Sequence, residues 1–183
     1  MLTIPNLLTF ARALGVPLFI WVGLDGSHDW WALIILVVGG ATDYLDGKVA
    51  RALNQTSRFG ELADPAIDRL YIAATLVVLL IRGAVPLWMV IAIFGRDLLL
   101  AVQLFFIKRA GYGPLKVTYI GKAATFNLLY AFPCLLLTLQ EGAIGTLATV
   151  FGWAFAIWGL TLYLFTGVRY FIDGARTLRL GKA

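Results

Sequence analysis

Six apolar runs, each long enough to cross a bilayer, make up most of this chain. They read as Pro5–Leu24, Trp30–Arg51, Glu61–Ile81, Pro86–Ile107, Val117–Leu139 and Ile144–Ile172. The connections are short and built from turn residues: Asp25-Gly-Ser, Arg82-Gly-Ala-Val-Pro86, Gly111-Tyr-Gly-Pro114 and Glu141-Gly. Inside hydrocarbon each run must satisfy its own backbone polar groups, and a continuous apolar run does so as a helix. The expected fold is therefore an all-α integral membrane protein of six transmembrane helices, forming one domain over residues 1–183. The first helix is expected to begin as an amphipathic segment on the membrane surface, since Pro5, Asn6, Thr9 and Arg12 interrupt its apolar character. The last run is long enough to extend beyond the bilayer. A soluble domain is excluded by composition: 61% of residues are hydrophobic, only 14% are charged, and the mean hydropathy is +0.86.

Lysine and arginine set the orientation. Taking the loops alternately, one side carries Lys48, Arg51, Arg58, Lys108, Arg109, Lys116, Arg176, Arg179 and Lys182, and the other carries Arg82. The positive-inside rule then puts both termini, and the connection between the second and third runs, in the cytoplasm of a multi-pass plasma-membrane protein. The net charge of +5 fits basic loops lying against anionic lipid headgroups, and no nucleic-acid module is indicated. No basic region precedes the first run, so no cleavable signal is expected. The single cysteine, Cys134, reads as an apolar packing residue, and the single histidine, His28, as an exposed loop residue. Cysteine–histidine chemistry and a histidine-rich zinc site are thereby excluded.

Against this background the acids stand out. Asp43, Asp46, Asp64 and Asp68 lie at or near the ends of the second and third runs. An aspartate at membrane depth costs about 2.5–3.5 kcal/mol on insertion scales, and so by default marks a functional site. Asp43, Asp46, Gly47, Ala50 and Arg51 share one helical face; Gly60, Asp64 and Asp68 share another. If the two helices meet, four carboxylates converge, and Gly47 and Ala50 leave room for a ligand or a neighbouring backbone. Carboxylates without histidine or cysteine favour hard cations, Mg²⁺ or Mn²⁺, and two such ions would neutralise a diphosphate. Structural ion pairs with Arg51, Arg58 or Arg69 are the bland alternative, but four clustered acids repel one another without cations between them.

The run D-x2-D-G-x2-A-R-x8-G-x3-D-x3-D resembles the signature of the CDP-alcohol phosphatidyltransferase family at every fixed position: Asp43, Asp46, Gly47, Ala50, Arg51, Gly60, Asp64 and Asp68. Ile4-Pro-Asn-Leu-Leu-Thr-Phe-Ala-Arg12 is similar to the family's N-terminal segment, and the six-span layout matches as well. The resemblance implies transfer of a phosphatidyl group from CDP-diacylglycerol to an alcohol, with release of CMP. It implies that Asp43, Asp46 and Asp64 hold two divalent ions. Asp68 would be the general base and would also touch the second metal. Asp43, Gly47, Ala50, Arg51 and Gly60 would contact the nucleotide and diphosphate. It further implies a homodimer.

The acceptor rests on other residues. Arg69, Arg96, Asp97 and Lys122 sit in apolar surroundings and are expected to line a pocket for an anionic acceptor, with Arg69 also placed to pair with Asp97. Snorkelling, or an interhelical ion pair of the Arg96–Asp97 kind, is the competing reading. Asp64-Pro-Ala-Ile-Asp68-Arg69-Leu-Tyr, Gly95-Arg96-Asp97 and Val117-Thr-Tyr-Ile-Gly-Lys122-Ala-Ala-Thr resemble actinobacterial members of two branches, those making cardiolipin and those making phosphatidylglycerophosphate. Arg-Asp in the fourth run is closer to the cardiolipin branch, which uses phosphatidylglycerol as acceptor. The other branch uses glycerol 3-phosphate. Arg69 stands where both branches usually have Lys, and resembles the inositol-phosphate branch. A divalent-cation transporter is the alternative from another class, but Arg51 would repel the ion in such a pore.

Overall fold

The computed structural model describes residues 4–52, 58–113 and 118–180, with side chains described for 9–42, 66–113 and 118–179. The described residues form six α-helices and no strand: α1 (Ile4–Asp25), α2 (Asp29–Ala52), α3 (Arg58–Ile81), α4 (Leu87–Arg109), α5 (Tyr119–Leu137) and α6 (Gly142–Leu180). Each expected run corresponds to one helix over its described residues, with ends that differ by one or two residues at α4 and α5. Among the described residues, three helices are long and apolar enough to cross a membrane: Leu87–Arg109, Tyr119–Leu137 and Gly142–Arg179. The burial pattern suits a lipid solvent. Trp21, Trp31, Leu98 and Trp158 are 61–74% exposed, whereas Thr9, Arg12, Gln103 and Thr166 are buried. Water would not tolerate that much continuous apolar surface.

The helices fall into two compact units, Met1–Ala84 and Val85–Ala183. In the first, α1 packs against both α2 and α3. Contacts between α1 and α3 recur at a nearly constant offset: Arg12 with Asp68, Gly15 with Tyr71, Gly23 with Val78. Helices in such register run parallel, so α2 returns antiparallel between their ends. α1 is one continuous helix from Ile4, with Pro17 inside it. From residue 9 onward its polar residues Thr9 and Arg12 face inward, while Phe10, Leu14, Leu18 and Trp21 face outward.

The far end of this unit is clamped by Arg82. Its Nη1 donates to the Gly23 carbonyl at 2.9 Å and to Asp29 Oδ1 at 2.7 Å, and its Nη2 donates to Asp29 Oδ2 at 3.3 Å. One guanidinium thus joins α1, α2 and the end of α3. Asp29 lies in the first turn of α2, where the helix dipole also favours a carboxylate. His28 is exposed, as expected, and bonds within its loop to Ser27 and Asp25.

In the second unit α6 is the spine. Its 39 residues span about 58 Å at 1.5 Å per residue, nearly twice the hydrocarbon thickness. Gly152 meets the backbone of Cys134 and Leu135 in antiparallel α5, where a Cβ would come within 3.2 Å. From Tyr163 onward α6 also meets α4. Gly167 and Gly174, seven residues apart, receive Arg96 and Gln103 of α4, also seven residues apart. Equal spacing on both helices means that α4 and α6 run parallel. Gln103 Nε2 donates to the Phe171 carbonyl at 2.6 Å, fixing that register. Cys134 is the packing residue its surroundings suggest.

Two stability outcomes follow. Asp29→Ala leaves the Arg82 charge without its carboxylate, and should cost about 3 kcal/mol of stability in detergent-solubilised protein. Gly152→Leu should lower the thermal midpoint by forcing α5 and α6 apart. Scanning fluorimetry on the purified protein measures both.

Candidate active site

The first unit brings the aspartate run to one end. α2 is helical through Ala52 and α3 begins at Arg58, so both halves of the motif lie on helices, as their spacing predicts. Because α1 and α3 run parallel and α2 antiparallel, three segments share that end: the N-terminal half of α1, the last turns of α2 and the first turns of α3. The side chains of Asp43, Asp46, Gly47, Ala50, Arg51, Gly60 and Asp64 lie outside the described residues. Asp68 is described, and it is engaged. Arg12 Nη1 donates to Asp68 Oδ1 at 2.7 Å across the α1–α3 contact. The Arg12 side chain is 1% exposed and that of Asp68 is 43% exposed. Asp68 is therefore held from the protein interior while its carboxyl group stays accessible.

Beside this pair runs a groove of about 460 Å³ between α1 and α2. Its walls are apolar, with Leu18, Val22, Trp31, Ile34, Ile35 and Val38 among them. Arg12, Thr42 and Tyr71 line it at the motif end, and Thr42 immediately precedes Asp43. The Tyr71 ring forms the floor. It lies so close to Gly15 of α1 and Gly39 of α2 that a Cβ at either would come within 3.0 Å of it. Two glycines thus let one α3 side chain reach both partner helices.

Arg69, next to Asp68, is exposed, and successive residues on a helix point about 100° apart, so it faces away from the Asp68 side. The remaining acceptor-pocket candidates are in the second unit. Arg96 Nη1 donates to Asp97 Oδ1 at 3.0 Å, and the Arg96 guanidinium lies 4.0 Å from the Tyr163 ring centroid. Tyr163 Oη donates to the same Asp97 oxygen at 2.5 Å. The Arg96–Asp97 pair is thus local to α4, whereas the competing reading placed such a pair between helices. Adjacent residues can bond along one helix, and the link to α6 is supplied by Tyr163. Arg96 Nε is buried against Gly167 of α6 with no hydrogen-bond partner among the described residues. Lys122 is exposed in the first turn of α5, 5.7 Å from the Tyr119 ring centroid.

Among the described residues no three acid, histidine or cysteine side chains gather into a metal cluster. The donor chemistry still fits a hard divalent ion. The motif end supplies carboxylates alone, and the one described, Asp68, is accessible. Sequence reading did not foresee the part played by Arg12, Thr42, Tyr71 or Tyr163. Only Arg12 carried a signal: a cation in an apolar helix requires an acid partner, and four acids were nearby in the motif.

The family model described as CDP-alcohol phosphatidyltransferase matches residues 2–158. A Streptomyces coelicolor protein named cardiolipin synthase (CMP-forming) is 51% identical over 187 aligned residues, covering 100% of this chain and 87% of that protein. A Mycobacterium tuberculosis putative cardiolipin synthase is 42% identical, covering 97% of this chain and 85% of its own. A Bacillus subtilis CDP-diacylglycerol–glycerol-3-phosphate 3-phosphatidyltransferase is 32% identical, covering 75% and 78%.

Filling the Tyr71 contact tests the geometry of this end. Gly15→Leu should displace the ring, lower the thermal midpoint and reduce turnover at least tenfold, by analogy with misplacement effects on catalysis. Parallel melting and activity measurements on the purified variant check it.

Proposed function

The chain belongs to the CDP-alcohol phosphatidyltransferase family, and from that premise we propose that it is a cardiolipin synthase of phospholipid biosynthesis. It would transfer the phosphatidyl group of CDP-diacylglycerol to the free hydroxyl of phosphatidylglycerol and release CMP. The observation that carries the reading is the likeness to the Streptomyces coelicolor cardiolipin synthase along the whole chain. The fully matched aspartate run and the Arg-Asp pair in α4 support it.

In this reading all six helices cross the plasma membrane as one domain, with both termini and the motif end cytoplasmic and a second copy completing a homodimer. Asp43, Asp46, Asp64 and Asp68 hold two Mg²⁺ or Mn²⁺ ions, which when bound neutralise charge on the diphosphate. Gly47, Ala50 and Gly60 leave space for the CDP group, and Arg51 pairs with its phosphate oxygens. The α1–α2 groove takes an acyl chain of the lipid, its apolar walls leading to the start of the motif at Thr42. Asp68 accepts the proton of the attacking hydroxyl as that oxygen bonds to phosphorus, and the bond to CMP breaks. Arg69, Arg96, Asp97 and Lys122 receive the anionic headgroup of the acceptor. Transfer to glycerol 3-phosphate is the second reading, supported by the Bacillus subtilis relative.

Purified protein given CDP-diacylglycerol and phosphatidylglycerol should yield CMP and cardiolipin, and glycerol 3-phosphate should not substitute. A phosphatidylglycerophosphate product would reverse the assignment. Chelation by EDTA should abolish turnover, and Mg²⁺ or Mn²⁺ should restore it. Asp68→Asn should lower turnover about 10²–10⁴-fold, the range for loss of a general base.

A further inference from the structure

We propose that Arg12 is a positioning residue of the transfer site, fixing the Asp68 carboxylate from α1. This rests on the reading of Asp68 as general base. The argument begins with cost. A guanidinium 1% exposed in an apolar helix is held there by something worth its desolvation, and its partner is the Asp68 carboxylate at 2.7 Å. The pair is asymmetric. Arg12 is enclosed, whereas Asp68 is 43% exposed and so open to a reacting hydroxyl. A planar guanidinium bonded to Oδ1 limits rotation of the carboxyl group and thereby sets the direction of its other oxygen.

The support beneath the pair is rigid. Gly15, one turn along α1 from Arg12, meets Tyr71, one turn along α3 from Asp68. The same tyrosine meets Gly39 of α2, one turn before Asp43. One ring therefore fixes the spacing of three backbones directly below Asp68. α1 is thus part of the catalytic apparatus and not only a membrane anchor. A base held to hydrogen-bond reach of its proton tolerates little displacement, so loss of the anchor should appear in turnover and not in substrate binding.

The test uses full-length protein in nanodiscs and four variants: Arg12→Lys, Arg12→Gln, Asp68→Asn and the double variant Arg12→Gln/Asp68→Asn. Arg12→Gln should lower kcat up to about 100-fold with KM for CDP-diacylglycerol unchanged. Arg12→Lys keeps the charge but not the fork, and should fall between it and the parent at an unchanged melting temperature. The double variant should be no slower than Asp68→Asn, because an anchor without its base has nothing to position. A raised KM at constant kcat, or a multiplicative loss in the double variant, would each overturn the proposal. If Arg12→Gln does not fold, Arg12→Lys decides: parental kcat overturns the proposal, and reduced kcat at parental KM sustains it. Full turnover in Asp68→Asn would sink the base reading and this inference with it. An inactive Asp68→Asn beside a fully active Arg12→Gln would sink this inference alone.

Discussion

A cation cannot be left alone in an apolar helix bundle, and the first unit is organised by where Arg12 and Arg82 find carboxylates. Arg12 meets Asp68 at one end and Arg82 meets Asp29 at the other. Each pair joins segments more than fifty residues apart in sequence. Between them the glycine contacts at Gly15 and Gly23 bring α1 and α3 close enough for the pairs to form. Charge thus sets the register and small residues permit it. The two ends have different consequences. Arg82 bonds a nearly enclosed aspartate and a backbone carbonyl, which holds three segments together. Arg12 bonds an accessible aspartate of the aspartate run, which ties the N-terminal helix to that end of the unit.

The second unit handles its polar groups by the same logic with weaker interactions. Arg96 is covered by the Tyr163 ring and shares Asp97 with the tyrosine hydroxyl. Gln103 reaches a carbonyl of α6. Both α4 side chains lie over glycines, Gly167 and Gly174, so a long polar side chain fits between closely spaced helices. Tyr170 contributes at the start of α5, where its hydroxyl accepts from the Thr118 amide at 2.7 Å. The N-terminus of α5 is thereby held to α6, with Lys122 exposed on the turn that follows.

Much of this was legible in the sequence. Apolar length alone placed six helices, because a bilayer-length run has one way to satisfy its backbone. The motif was legible because its residues repeat at helical spacing, and both halves lie on helices. The lone cysteine and histidine read correctly from their neighbours. The unread part was contact between distant segments. Periodicity gives a helix its faces but not its register against another helix, so Arg12 looked like an interruption of α1 and its pairing with Asp68 was invisible. Tyr71 gave no signal at all: nothing in an aromatic residue of an apolar run tells that it wedges between two glycines. Arg96 and Asp97 stood out as charged residues in an apolar run, but the partner they share, Tyr163, lies 66 residues beyond Asp97.

The central claim is that the ends of α2 and α3 form one metal-dependent transfer site anchored by α1. Its most direct test is a structure of the protein with Mn²⁺ and a CDP-lipid, with anomalous scattering to locate the metal. The account predicts manganese among the carboxylates of Asp43, Asp46, Asp64 and Asp68, the diphosphate on it, and Asp68 still bonded to Arg12. Manganese elsewhere, or a diphosphate bound away from this end of the helices, would contradict it.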